Sequence, residues 1–149
     1  MRVSVRMEKR ALANNRWFSH QWQVQGIEMA DAAHEVIADR PLFDGFDVCL
    51  YPDEAEGYFL NASSGDPKAF VMWRIDEAEA GGAAIPKVVT LSYNEAARLM
   101  DAQEKVDAVP LPPVMGAWLA DYVAANYKPE PKKKRIKASF LAPRDKGRL

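Results

Sequence analysis

Over the first ten residues apolar and polar side chains alternate, with Val3, Val5 and Met7 on one parity and Ser4, Arg6 and Glu8 on the other. Period two marks a half-buried strand, because successive strand side chains point to opposite faces. Asn14-Asn15 reads as a turn. Within residues 18–27, Trp22 and Val24 share one parity and predict a second strand paired with the first. Residues 28–43 admit two readings. Met29, Ala32, Ala33, Val36 and Ile37 have helical spacing and Pro41 would stop such a helix, but the stretch lacks a strong cap and fits an irregular insertion equally.

Three further runs read as strands separated by turn residues. Residues 46–51 end at Pro52, which has no N–H to give to a ladder. Residues 57–61 follow an acidic turn, Asp53 to Glu56, and residues 69–75 follow Ser63-Ser64-Gly65-Asp66-Pro67. After an acidic, glycine-containing loop, residues 87–92 form a sixth strand rich in β-branched side chains. At Ser92 the period changes. Ser92-Tyr93-Asn94-Glu95 is a capping box, in which the Ser and Glu side chains satisfy free N–H groups at a helix start, and Ala96, Ala97, Leu99 and Met100 continue that helix. Val109-Pro110-Leu111-Pro112-Pro113 is extended, since a residue before proline is pushed out of the α region. Pro113 suits the first turn of a helix, whose apolar face is Met115, Trp118, Leu119, Tyr122 and Val123. The pattern therefore predicts an α+β fold: about six antiparallel strands in a curved sheet or partial barrel, then two helices, the C-terminal one packed on the sheet. Trp73, Trp118 and Tyr122 are expected in one core.

Composition adds boundaries to this picture. A chain of 149 residues suits one domain, and its 48% apolar and 28% charged residues are those of a globular protein. Residues 1–127 are expected to form a single globular domain and residues 128–149 a basic, flexible tail too poor in apolar residues to order itself. No apolar run approaches the roughly 18 residues of a membrane span, so no span is expected. Residues 1–10 have no continuous apolar stretch and do not read as a secretory signal. A single cysteine, Cys49, excludes an intrachain disulfide and suits the reducing cytoplasm. The net charge of −1 conceals a segregation. Residues 128–149 carry nine Lys and Arg against two acidic residues, residues 1–16 five against one, and residues 17–127 six against eighteen. An acidic body thus has basic ends.

Candidate chemistry is sparse. His20 and His34 lie fourteen positions apart, outside the usual spacing of metal ligands. Cys49, among Val48, Leu50 and Tyr51 of a predicted strand, reads as an inert buried thiol. Gly81-Gly82 sits in an acidic loop, and neither phosphate-binding glycine motif is present. Glu54 and Glu56 are expected in a solvated turn, with no desolvating pocket to shift them. The reading is of a non-catalytic protein with no catalytic residue, metal ligand or cofactor assigned. What stands out is the run Lys132, Lys133, Lys134, Arg135 and Lys137, with the look of a nuclear-import signal. Physically it is an electrostatic arm for an acidic protein surface, for nucleic acid phosphates, or for nothing, and Phe140, nearby in sequence, is a single aromatic that could stack on a base.

Several stretches together resemble a domain-of-unknown-function family of short bacterial proteins. They are Arg2-Val3-Ser4-Val5-Arg6-Met7-Glu8-Lys9-Arg10, Asp53-Glu54-Ala55-Glu56-Gly57-Tyr58-Phe59-Leu60-Asn61, Phe70-Val71-Met72-Trp73-Arg74, Leu91-Ser92-Tyr93-Asn94-Glu95-Ala96-Ala97-Arg98, Val109-Pro110-Leu111-Pro112-Pro113, and Tyr127-Lys128-Pro129-Glu130-Pro131-Lys132-Lys133-Lys134-Arg135. The resemblance spans the chain except about residues 28–44 and 76–86. It implies a gene neighbourhood beside molybdenum-dependent formate dehydrogenases, and some members carry the label of molybdopterin-guanine dinucleotide biosynthesis proteins. The nucleotidyltransferases of that name open with a Gly-rich loop ending in Arg-Met-Gly, whereas here Arg6-Met7 precedes Glu8 with no glycine before it. No active-site residue carries over. The resemblance implies a cytoplasmic accessory or interaction protein serving a molybdenum-dependent formate dehydrogenase or the maturation of its cofactor, with a dehydrogenase subunit or a maturation factor as partner. The alternatives are a nucleic-acid-binding protein that uses the basic tail and an enzyme of molybdenum cofactor biosynthesis.

Overall fold

The alternation at the start of the chain becomes strand β1 (Arg2–Ala11), with Val3, Val5 and Met7 fully buried. The structure, a computed structural model, describes residues 1–13, 19–78 and 82–129. β1 is central in an antiparallel sheet, flanked by β2 (His20–Met29) and β3 (Leu42–Asp47). Arg6 faces Gly26 and Met7 faces Val24, so Gln25 bulges out of the ladder and bends β2 at Arg6. On the other side, β3 pairs with β1 only as far as Arg6. Beyond it the Met7 and Lys9 amides donate to the carbonyls of Pro41 (3.0 Å) and Asp39 (2.8 Å).

Residues 30–41 are irregular, which decides between the two readings of that stretch. The periodic apolar face had nothing to bury against, and Val36 is fully exposed. The carbonyls of the segment are instead taken by β1, and Asp39 adopts a left-handed φ of 59°.

A second antiparallel sheet has β4 (Lys68–Asp76) between β5 (Ala83–Thr90) and β6 (Lys105–Pro110). Each sheet is thus built from its own half of the chain. Three helices accompany them: α1 (Ala55–Ala62), entered through a tight turn at Pro52–Glu54, α2 (Tyr93–Asp101) and α3 (Pro113–Asn126). One core cluster joins Val3, Val5 and Met7 of the first sheet, Ala69, Val71 and Trp73 of the second, Tyr58 of α1, and Met115 and Leu119 of α3. At the seam β2 runs beside β6, and the Val24 amide donates to the Asp107 carboxylate (2.9 Å). Among the described residues no backbone ladder joins the sheets. No helix among them is long and apolar enough to cross a membrane.

The α+β class and six antiparallel strands are present, but the expected single curved sheet or partial barrel is two three-stranded sheets. Residues 57–61, expected as a strand, lie in α1. Tyr58-Phe59-Leu60 is a short apolar run whose period does not separate strand from helix, and Ala55, Tyr58 and Asn61 are buried at a spacing of three. Among the described residues there are consequently three α-helices rather than two. The third strand, β3, is shifted toward the N-terminus and shares only Phe46 and Asp47 with the expected 46–51, and β6 begins at Lys105, ahead of the extended proline segment expected from Val109. α3 sends Met115 and Leu119 into the core but also lies against α1, with Tyr58 and Tyr122 edge to face at 5.8 Å. Trp73 is buried as expected, whereas Trp118 and Tyr122 are half-buried at the margin of the core.

Candidate functional site

Arg6 is an arginine on a buried strand, only 4% exposed, and a buried charge must be paired. Its Nε donates to Glu28 Oε2 (2.6 Å), Nη1 to the Arg40 carbonyl (2.8 Å) and Nη2 to the Glu35 carbonyl (3.1 Å). The other Glu28 oxygen meets His34 Nδ1 at 2.8 Å. One guanidinium therefore staples the irregular 30–41 segment onto the first sheet. It also borders a cavity of about 520 Å³ shared with Gln25, Ile27 and Ala33. The hydrogen bond from Arg6 holds the Glu28 carboxyl below its ordinary value, against the upward pull of burial, and His34 adds to the lowering.

A second network fastens α1 to α2. Ser92 caps α2 by accepting from the Glu95 amide (3.0 Å), and its hydroxyl donates to Glu54 Oε1 (2.6 Å); the reciprocal half of the expected capping box does not form, because the Ser92 amide donates to Thr90 Oγ1 (3.1 Å) instead of to Glu95. Arg98 Nη2 donates to Glu54 Oε2 (2.7 Å), and Thr90 Oγ1 donates to Glu95. Burial raises the Glu54 carboxyl, but the hydrogen bonds from Ser92 and Arg98 together outweigh it and hold the group below its ordinary value. Gly57 makes this approach possible, since a Cβ there would fall 2.1 Å from Ser92 Oγ.

Both carboxyls bear on acid stability. A group whose pKa is depressed in the folded state contributes stability that is complete above its unfolded value and lost as pH falls through its folded value. With 4.5 as the ordinary value for Glu28 and Glu54, the thermal midpoint is expected to hold from neutrality to about pH 5 and to fall below it. The double variant Glu28→Gln/Glu54→Gln should start lower and fall less steeply. Parallel pH profiles of the two proteins would count against these assignments.

Beside the second network, between α1, the start of β4 and the start of α2, lies a groove of about 410 Å³. Its polar floor is internally satisfied. Asn61 Nδ2 donates to the carbonyls of Lys68 (2.8 Å) and Leu91 (2.9 Å), and its Oδ1 accepts from the Lys68 amide (2.8 Å). Ser64 Oγ donates to the Asn61 carbonyl, and Lys68 pairs with Asp66 at 2.9 Å. What remains on offer is apolar surface: Leu60 is 41% and Tyr93 54% exposed, with Phe70 beneath, edge to face with Tyr93 at 6.2 Å. Such a surface suits a protein segment better than a small polar molecule.

The residues singled out by sequence are scattered. His34 belongs to the Arg6 network, while His20 is exposed and meets Ser19 Oγ at 2.9 Å. No group of three or more His, Cys, Asp or Glu side chains suited to a metal ion occurs among the described residues. Cys49 is not buried in a strand. β3 ends at Asp47, which leaves the thiol exposed, and hydrogen bonding with Cys49 is the main cause that pushes the neighbouring Tyr51 phenol up. Glu54 is not a solvated turn residue but sits between Ser92 and Arg98, and Glu56, on α1, accepts from Asn94 Nδ2 at 3.1 Å. Gly82 has a left-handed φ of 74°, while Gly81 lies outside the described residues, as do Lys132, Lys133, Lys134, Arg135 and Lys137. Sequence reasoning missed the Arg6–Glu28 pair. Its one signal was an arginine flanked by Val5 and Met7 in an otherwise apolar strand start.

A family model described as "Protein of unknown function (DUF3305)" matches residues 2–136. No curated protein and no solved structure matches the chain.

Proposed function

We propose, from the premise that this chain belongs to the DUF3305 family, that it is a non-catalytic accessory protein of the cytoplasm that binds a protein partner. The observation that carries this reading is the groove at Leu60 and Tyr93, floored by the buried Phe70, where polar groups are satisfied internally and the Leu60 and Tyr93 side chains are left to the solvent. Within this reading the partner is a molybdenum-dependent formate dehydrogenase subunit or a factor that matures its cofactor, which rests on the gene neighbourhood implied by the family resemblance. Lys132, Lys133, Lys134, Arg135 and Lys137 supply the electrostatic part of the contact, weakened by salt because charges on a surface are screened over roughly 8 Å at physiological ionic strength.

The test is co-purification. The full chain, tagged at its N-terminus and expressed in its own host during growth on formate with molybdate, is expected to retain a dehydrogenase subunit or maturation factor. The Leu60→Asp variant should retain less of it. Nucleic acid retained in place of protein, or formation of the guanine dinucleotide cofactor from GTP and molybdopterin by the purified chain, would replace this reading.

A further inference from the structure

We propose that the cleft at the seam of the two sheets, between β2 and β6, binds a small molecule through an anionic oxygen group, a carboxylate or a phosphate. The cleft shares no residue with the groove at Leu60 and Tyr93, so this goes beyond the reading above and does not rest on it.

The cleft is a cavity of about 430 Å³ lined by Trp22 and Val24 of β2, Trp73 of β4, and Val106, Asp107 and Ala108 of β6. Such a volume suits a small molecule. Its two tryptophans come from different sheets, and each stands opposite a lysine on the neighbouring strand, Trp22 opposite Lys9 and Trp73 opposite Lys105. Opposed residues share a face of a sheet, as do residues two apart along a strand. Lys9 and Trp22 lie two positions from the buried Met7 and Val24, and Trp73 two from the buried Val71. Both pairs are therefore on the core-facing sides of their sheets. Each ammonium sits over its tryptophan, Lys9 Nζ 5.9 Å from the Trp22 centroid and Lys105 Nζ 5.7 Å from that of Trp73. Two positive charges thus flank one cavity.

Two observations give the ligand its chemistry. The first is unneutralised charge. Among the described residues neither Lys9 nor Lys105 has an ion-pair partner. The acidic residues beside them in sequence are engaged elsewhere: Glu8 pairs with Arg40 at 3.0 Å and accepts from Gln23, and Glu104 pairs with Arg74. Asp107 lines the cavity, but its Oδ2 accepts from the Val24 amide (2.9 Å), and one carboxylate leaves two lysines in excess. The second is an orphaned donor. Trp73 is 7% exposed, and its indole N–H is buried with no acceptor among the described residues. Buried polar groups are rarely left unpaired, and an indole N–H donates without accepting, so what complements it is an oxygen. Nε1 is closed to solvent in the free chain, so binding includes a small turn of the indole toward the ligand.

The experiment is an NMR titration of the nitrogen-labelled full chain with inorganic phosphate, with succinate, and with chloride at matched ionic strength. The chain has four tryptophans, and the indole N–H signal of Trp73 is identified by its loss in Trp73→Phe. Phosphate or succinate is expected to move that signal downfield and saturably, as a new hydrogen bond requires, while chloride does not. Saturation by phosphate alone assigns the site to a phosphoryl group, by succinate alone to a carboxylate, and by both to either. The double variant Lys9→Met/Lys105→Met should weaken binding at least about tenfold. Trp73→Phe keeps a ring and removes the donor, and should weaken binding about tenfold when followed at the Trp22 indole. The lysine variant keeps the test sound if Trp73→Phe disturbs the core. No saturable shift with either anion, or binding undiminished in the lysine variant, would overturn the proposal.

Discussion

Glu28→Ala is expected to lower the unfolding free energy by about 3 kcal/mol, although Glu28 is itself only partly buried. The reason lies in its partner. The Arg6 side chain is 5% exposed and cannot shed its proton, so loss of the carboxylate strands a cation inside the protein. The lower end of the usual range applies because 31% of the Glu28 side chain is exposed and water can reach part of the gap. The thermal midpoint should fall by about 6–12 °C for a domain of this size. A double-mutant cycle supplies the check. In the Arg6→Met background the stranded charge is absent, so Glu28→Ala should cost much less there than in the parent chain. Additive losses, measured by urea unfolding, would mean that the pair is not energetically coupled.

Gly57→Ala should cost a net amount of about 2 kcal/mol, even though alanine is the better helix former by about 1 kcal/mol. The new Cβ would meet Ser92 Oγ at 2.1 Å, and Ser92 Cβ and the Asn94 amide nitrogen at 3.1 Å each. A hydroxyl can often rotate away, but this one is held at both ends, donating to Glu54 and accepting from the Glu95 amide. Relief therefore requires either separating α1 from α2 or giving up the cap, itself worth about 1 kcal/mol. In a Ser92→Ala background the overlap with the hydroxyl is gone and the penalty of Gly57→Ala should shrink. An undiminished penalty in that background would place the strain elsewhere.

Parts of this architecture are legible from local pattern, and the reason differs from part to part. The start of α2 is legible because a cap is a contact within four residues, and the Ser92 hydroxyl accepts from the Glu95 amide as the motif implies, although the Ser92 amide turns to Thr90 rather than to Glu95. β1 is legible because its alternation is strict. α1 is not, because Tyr58-Phe59-Leu60 is too short for its period to decide, and burial against α3 makes the choice from far along the chain. β6 is hidden for a similar reason. Its place is set by pairing with β4, some forty residues earlier, and its final proline reads as a breaker although Pro110 lies opposite Lys68 at the end of the ladder. The groove draws Leu60, Phe70 and Tyr93 from three separate elements, and no local pattern announces that they meet. Arg6 and Glu28 are likewise neighbours only because β1 and β2 pair. The basic run, by contrast, is plain in the sequence as composition, and composition is what an electrostatic contact depends on.

The segregation of the two sheets along the chain bears on how the protein is made. On a ribosome the whole first sheet, complete at Asp47, emerges before any residue of the second. Val3, Val5 and Met7 must nevertheless share their core with Met115 and Leu119, about seventy residues beyond Asp47, which at ordinary elongation rates is about 4–14 s of synthesis. For that interval the nascent chain presents an apolar sheet face whose natural cover has yet to be translated, so this fold is one that a chaperone at the exit tunnel would meet half-built.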